Sequence, residues 1–112
     1  MVQSYNVINV IIEETSRFEK NFDKLPIQIA KHFHRKTLPT IISCLKDQTP
    51  FPRSLRIKYV EGSNKQVWEA TINMSFRVTF SLLREFDEHN RQIVVIQLRN
   101  IGPHKVVFKP PY

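Results

Sequence analysis

Five residues in the second half of this 112-residue chain are of types that act on a phosphodiester: Lys58, Trp68, Arg77, His104 and Phe108. Cutting RNA without a metal makes three demands. The 2′-hydroxyl must lose a proton, the phosphate must carry added negative charge in the transition state, and the leaving 5′-oxygen must gain a proton. An imidazole serves either proton transfer near pH 7. A guanidinium offers bidentate donors to the phosphate. A lysine adds positive charge, and an aromatic ring can stack on a splayed base. Each residue alone has a plainer reading. Trp68 fits the core better than a base stack, Lys58 on an exposed strand is unremarkable, and histidine after a turn is common. Arg77 lies between Phe76 and Val78 and must face solvent, a partner or a ligand, because burying it unpaired is too costly. The combination carries the case.

Other chemistries have less support. His32 and His34 lie two apart on an expected helix and point to different sides. No Cys or His pair has ligand spacing, so no metal is expected. There is no glycine-rich phosphate loop and no nucleophile signature, so no small-molecule cofactor is expected. Glu69 stands alone, and Asp87–Glu88 read as loop solvation. The single cysteine, Cys44, lies in "TIISCL" and reads as core filler.

The elements that must position these residues follow from periodicity. "YNVINVII", 5–12, is apolar on both alternations and predicts a strand buried on both faces. Thr15 or Ser16 can cap a helix, with Glu19 completing a capping box with Ser16. Phe18, Phe22 and Leu25 then recur at helical spacing. A second helix is expected from Pro26, with Ile27, Ala30, Phe33, Leu38, Ile41, Ile42 and Leu45 as its apolar stripe. Pro39 should kink it near Thr37. After a loop at 47–54 the period becomes strand-like. "LRIKYV" (55–60), "VWEATI" (67–72), "FRVTFSLL" (76–83) and "IVVIQL" (93–98) predict four strands, the last of them central. "EGSNK" and Asn73–Ser75 are turns, 84–92 is a charged hairpin loop, and "VVF", 106–108, can add a short final strand. This order predicts one α+β domain over 1–112: an N-terminal strand and two helices packed on one face of a mainly antiparallel sheet of four to five strands.

Net charge is +7, which favours a polyanionic partner, either nucleic acid or an acidic protein. The excess sits in "KHFHRK" (31–36) and in the C-terminal half, where residues 99–112 carry Arg99, Lys105 and Lys109 and no acid. No apolar run approaches the roughly 18 residues of a membrane span, and the N-terminus lacks the order of a secretory signal. One cysteine permits a reducing compartment, so a cytoplasmic protein without membrane contact is expected.

Three stretches resemble the RelE/ParE superfamily of small toxins from bacterial toxin–antitoxin modules. "PFPRSLRIKYVEG" is similar to its proline loop followed by Ser-Leu and a basic position. "VWEATINMSFRVTF" is similar to its paired strands with an aromatic-Arg step at Phe76–Arg77. "LRNIGPHKVVF" is similar to the ending of the YafQ-like branch, in which a strand runs into Gly-x-His with an aromatic four residues on. The resemblance implies a RelE-like fold and an endoribonuclease that cuts mRNA on the ribosome, leaving a 2′,3′-cyclic phosphate. It implies His104 as acid or base, Arg77 at the phosphate and Lys58 assisting. Arg56, Lys65, Lys105 and Phe108 are the expected RNA contacts, with Phe108 orienting the strand. The implied partners are the ribosome, mRNA and a cognate antitoxin with an acidic, partly disordered segment. The chain departs from the family pattern at Thr71 and Glu69, where relatives often carry a basic residue, and at Ser75, which replaces an acid. The resemblance leaves two alternatives open: a gyrase-inhibiting toxin of the ParE branch, or a degenerate homologue that binds RNA or antitoxin without cutting.

Overall fold

In a computed structural model of the chain, residues 7–107, 109, 110 and 112 are described. A five-stranded sheet has the order β1-β5-β4-β3-β2, with β1 (Val7–Glu14), β2 (Lys58–Tyr59), β3 (Trp68–Thr71), β4 (Phe76–Phe86) and β5 (Gln92–Pro103). β1 runs parallel to β5, and every other pair is antiparallel. This is the mainly antiparallel α+β domain that the periodicity predicts.

β1 is an edge strand, not one buried on both faces. Val10 and Ile12 pack on the core, while Ile11 is exposed. Its apolar run is long because one alternation meets the helices and the other lies on the opposite face of the sheet. Thr15 caps α1 (Ser16–Phe22), its hydroxyl accepting from the N–H of Phe18 at 3.1 Å and donating to the Arg99 carbonyl at 2.9 Å. Thr15 thus takes the cap, and Ser16 and Glu19 form no capping box.

The second helical segment is α2 (Ile27–His32), a π-helical turn at Phe33–Thr37, and α3 (Leu38–Asp47). Pro39 explains the widened turn. Its ring would strike the Arg35 carbonyl in a regular helix, and it has no N–H to give that oxygen. Thr40 turns its hydroxyl onto the Lys36 carbonyl at 2.6 Å, taking up an acceptor close to this break. The extra residue rotates the stripe, so Phe33, Ile41 and Leu45 are buried while Ile27 is 70% exposed. Phe18 and Phe33 lie with ring centroids 5.9 Å apart and meet Val78, Phe80, Val94, Ile96, Leu98 and Ile101 from the sheet in one core.

β2 is only two residues long, because Arg56 takes a left-handed φ of 45° after a 3-10 turn at Arg53–Leu55 and cannot extend the strand. The hairpin between β4 and β5 is tighter than the expected loop at 84–92. Both strands run on to Phe86 and Gln92. The Asp87 carboxylate closes it, accepting from the N–H groups of His89 and Arg91 at 2.9 and 2.8 Å. A strand is not formed at 106–107. His104–Val107 is a short helix, α4, with Val107 buried.

Candidate functional site

The sheet has one face covered by α1–α3 and a second face on which Ile11 and Leu83 are exposed but Glu69, Thr79 and Ser81 are buried. Side chains alternate between them, so the register decides which residues share the second one. Lys58 pairs with Glu69, Glu69 with Thr79, and Thr71 with Arg77, which in turn pairs with Gly102. Lys58, Glu69, Thr71, Arg77 and Thr79 therefore lie on one face, in two adjacent cross-strand rows. A Cβ at Gly102 would lie 3.6 Å from Val106, so α4 packs back on this same face.

His104 opens α4, and its side chain is exposed. Its N–H donates to the Ser75 carbonyl at 3.0 Å, which ties the start of α4 to the β3–β4 turn. That turn is held by Asn73, whose Oδ1 accepts from the N–H groups of Ser75 and Phe76, both at 2.8 Å. The Arg77 guanidinium donates into the same turn, to the carbonyls of Asn73 and Phe76. Arg77 and His104 thus come from one corner, fixed by the same four residues.

Lys58 is one row away and two strands over, about 12 Å from Arg77 between Cα atoms by ideal sheet spacings. Its ammonium is no bare cation. It lies 3.2 Å from Glu69 Oε1, with the Glu69 side chain 4% exposed and that of Lys58 71% exposed. Glu69 Oε2 is buried without a hydrogen-bond partner. Glu69 has no second acid beside it, as its isolation among the acids of the sequence implied, but it is the fixed half of an ion pair with Lys58. Period-two alternation places it on the face of Thr71, but the β2–β3 pairing that brings Lys58 to it spans an eight-residue loop and leaves no sequence signal.

Arg56 and Lys65 are exposed on loop backbone of positive φ, and Lys105 is exposed on α4. None of the three sits on a strand. Phe108 lies outside the described residues. Trp68 is half-buried and stacks on Tyr59 with centroids 3.9 Å apart. Among the described residues no group of three His, Cys, Asp or Glu side chains could hold a metal ion. No described helix is long and apolar enough to cross a membrane.

No family model matches this sequence, and no curated protein matches it in sequence. Solved structures are. YafQ from E. coli strain BL21(DE3) superposes with a TM-score of 0.54 at 17% identity, over 88% of this chain and 97% of that one. A copper-bound mutant toxin from Helicobacter pylori gives a TM-score of 0.59 at 20% identity, over 88% and 98%. A YoeB/ParE toxin from Agrobacterium tumefaciens gives 0.55 at 11% identity, over 84% and 98%. The E. coli DinJ–YafQ toxin–antitoxin complex also matches, at a TM-score of 0.54 and 17% identity over 88% and 96%. The chain has the RelE-like fold shared by these structures.

Proposed function

We propose that the chain is the toxin of a toxin–antitoxin pair and an endoribonuclease that cuts mRNA on the ribosome without a catalytic metal. The observation that supports this best is the shared corner of Arg77 and His104. Arg77 pairs with Gly102, two residues before His104, in a chain of net charge +7. In this reading His104 moves a proton at the 2′-hydroxyl or at the leaving 5′-oxygen. Arg77 stabilises charge on the pentacoordinate phosphate, and Lys58, positioned by its ion pair with Glu69, is the assisting hydrogen-bond donor. The 2′-oxygen bonds to phosphorus as the 5′-oxygen leaves, giving a 2′,3′-cyclic phosphate and a 5′-hydroxyl. Lys105, one residue past His104, contacts the RNA backbone, as do Arg56 and Lys65 nearer β2. A cognate antitoxin covers the basic surface, and the protein works in the cytoplasm, where ribosomes are.

The test is the chemistry of the cut. Ribosome-bound transcripts exposed to the protein should carry 2′,3′-cyclic phosphate ends. Ends bearing a 3′-hydroxyl and a 5′-phosphate would contradict the reading.

One observation favours a second reading, binding of RNA or antitoxin without cleavage. The Arg77 guanidinium and the Lys58 ammonium already have partners within the protein. Intact transcripts in cells whose growth the protein arrests would select that reading or gyrase inhibition, and DNA damage signalling separates those two.

A further inference from the structure

β4 outruns its neighbour. β3 begins at Trp68, opposite Phe80, while β4 continues through Ser81 to Phe86 with no β3 residue beside it. The step leaves a cleft of about 560 Å³, walled by the Tyr59–Trp68 ring pair on one side and by Lys65, Arg84 and Arg99 around it. No carboxylate lines it. The ion pairs Lys58–Glu69, His89–Glu88 and Arg91–Asp87 involve none of these three cations. Arg99 donates to Gln97 Oε1 at 2.9 Å and to the main-chain oxygen of Tyr112, so its guanidinium is already held on two sides. Lys65 is presented by two successive left-handed residues, Asn64 and Lys65. Lys65 and Arg84 have no ion-pair partner among the described residues, and an anion between them offsets their mutual repulsion. The exposed face of Tyr59, backed by Trp68, is a flat apolar platform beside the anion position.

From this arrangement we infer that the cleft binds one nucleotide of a single-stranded RNA, its phosphate between Lys65 and Arg84 and its base against Tyr59. The inference rests on the RNA-directed reading above and adds to it a second contact on the substrate strand. Ser81, at the cleft, is four residues along β4 from Arg77, about 13 Å at strand rise. A strand seated in the cleft can therefore reach the corner of Arg77 and His104.

Trp68 is the only tryptophan in the chain, so its emission reports the cleft directly. A short oligouridylate and free uridine 5′-monophosphate would each be titrated into the wild type, Tyr59→Ala and Lys65→Glu/Arg84→Glu, reading Trp68 quenching and, for labelled oligonucleotide, anisotropy. The oligonucleotide should quench Trp68 saturably. Tyr59→Ala should weaken binding about 5- to 150-fold, the range for loss of one base stack. The double charge reversal should lower the slope of log affinity against log salt by about 0.7, the value for one phosphate on a single strand. Binding seen by anisotropy with silent Trp68, equal affinity in the double variant, binding of the free nucleotide alone, or no binding would each overturn the cleft. Cleavage of ribosome-bound mRNA separates the two ideas. Wild-type cutting with a silent Trp68 removes the cleft and leaves the nuclease, and quenching without cutting does the reverse.

Discussion

The backbone N–H of His104 donates to the carbonyl of Ser75 at 3.0 Å. This bond joins the end of β5 to the β3–β4 turn, and so fixes the imidazole-bearing residue relative to the strand that carries Arg77. Asn73 supports both, through Oδ1 to the Ser75 and Phe76 N–H groups and through its carbonyl to Arg77. Asn73→Ala should cost about 1–2 kcal/mol for two lost hydrogen bonds. Cleavage should fall with the folded protein intact, while Asn73→Asp, which keeps the acceptor, restores most of it. Denaturant unfolding and cleavage rates on the three proteins check this.

The Lys58–Glu69 pair predicts an asymmetry. Lys58→Ala leaves a buried carboxylate with no cation and should destabilise by about 1–3 kcal/mol, short of a fully buried pair because the ammonium is mostly exposed. Lys58→Ala combined with Glu69→Gln should recover most of that loss. Chemical denaturation of the single and double variants reads it out, and equal stability of all three would show the pair to be energetically idle.

Within the helical segment the cost of truncation should follow burial, not the apolar stripe of the sequence. Phe33→Ala should cost about 3–5 kcal/mol, because the ring is fully buried against Phe18. Ile27→Ala should stay within about 0.5 kcal/mol, because Ile27 is largely exposed. Thermal or urea unfolding distinguishes them.

Asp87 gives a pH prediction. The Arg91 N–H, then that of His89 and the Arg91 guanidinium, hold its carboxyl below the ordinary carboxylate value, against a smaller opposing effect of burial. The folded group is depressed, so its contribution is complete above the unfolded value near about pH 4 and is lost as pH falls through the folded value. Amide exchange at His89 and Arg91 should accelerate on acidification in that window, relative to the rest of β4 and β5. Asp87→Asn should remove the acid dependence.

The strands and helices were legible because their apolar periods are long and strong. Register was legible only where a tight turn sets it, as at Asn73–Ser75, which brings Thr71 opposite Arg77. The Lys58–Glu69 pairing crosses a long loop and could not be read. At the C-terminus the β-branched pair Val106–Val107 suggested a strand, but tertiary packing overrides propensity there. A helical turn buries Val107 and seats Val106 on Gly102. The π-turn shows a third case. Pro39 announced a break near Thr37, yet nothing local showed that the break would add a residue and rotate Ile27 out of the core.

The most direct test of the ribonuclease account is single-turnover cleavage of ribosome-bound mRNA by the wild type, His104→Ala and Arg77→Ala, each shown to be folded. Loss of the proton-transfer group should slow cleavage by about 10²–10⁴-fold, with Arg77→Ala also strongly impaired. A His104→Ala protein that cuts the same sites at the wild-type rate would contradict the account.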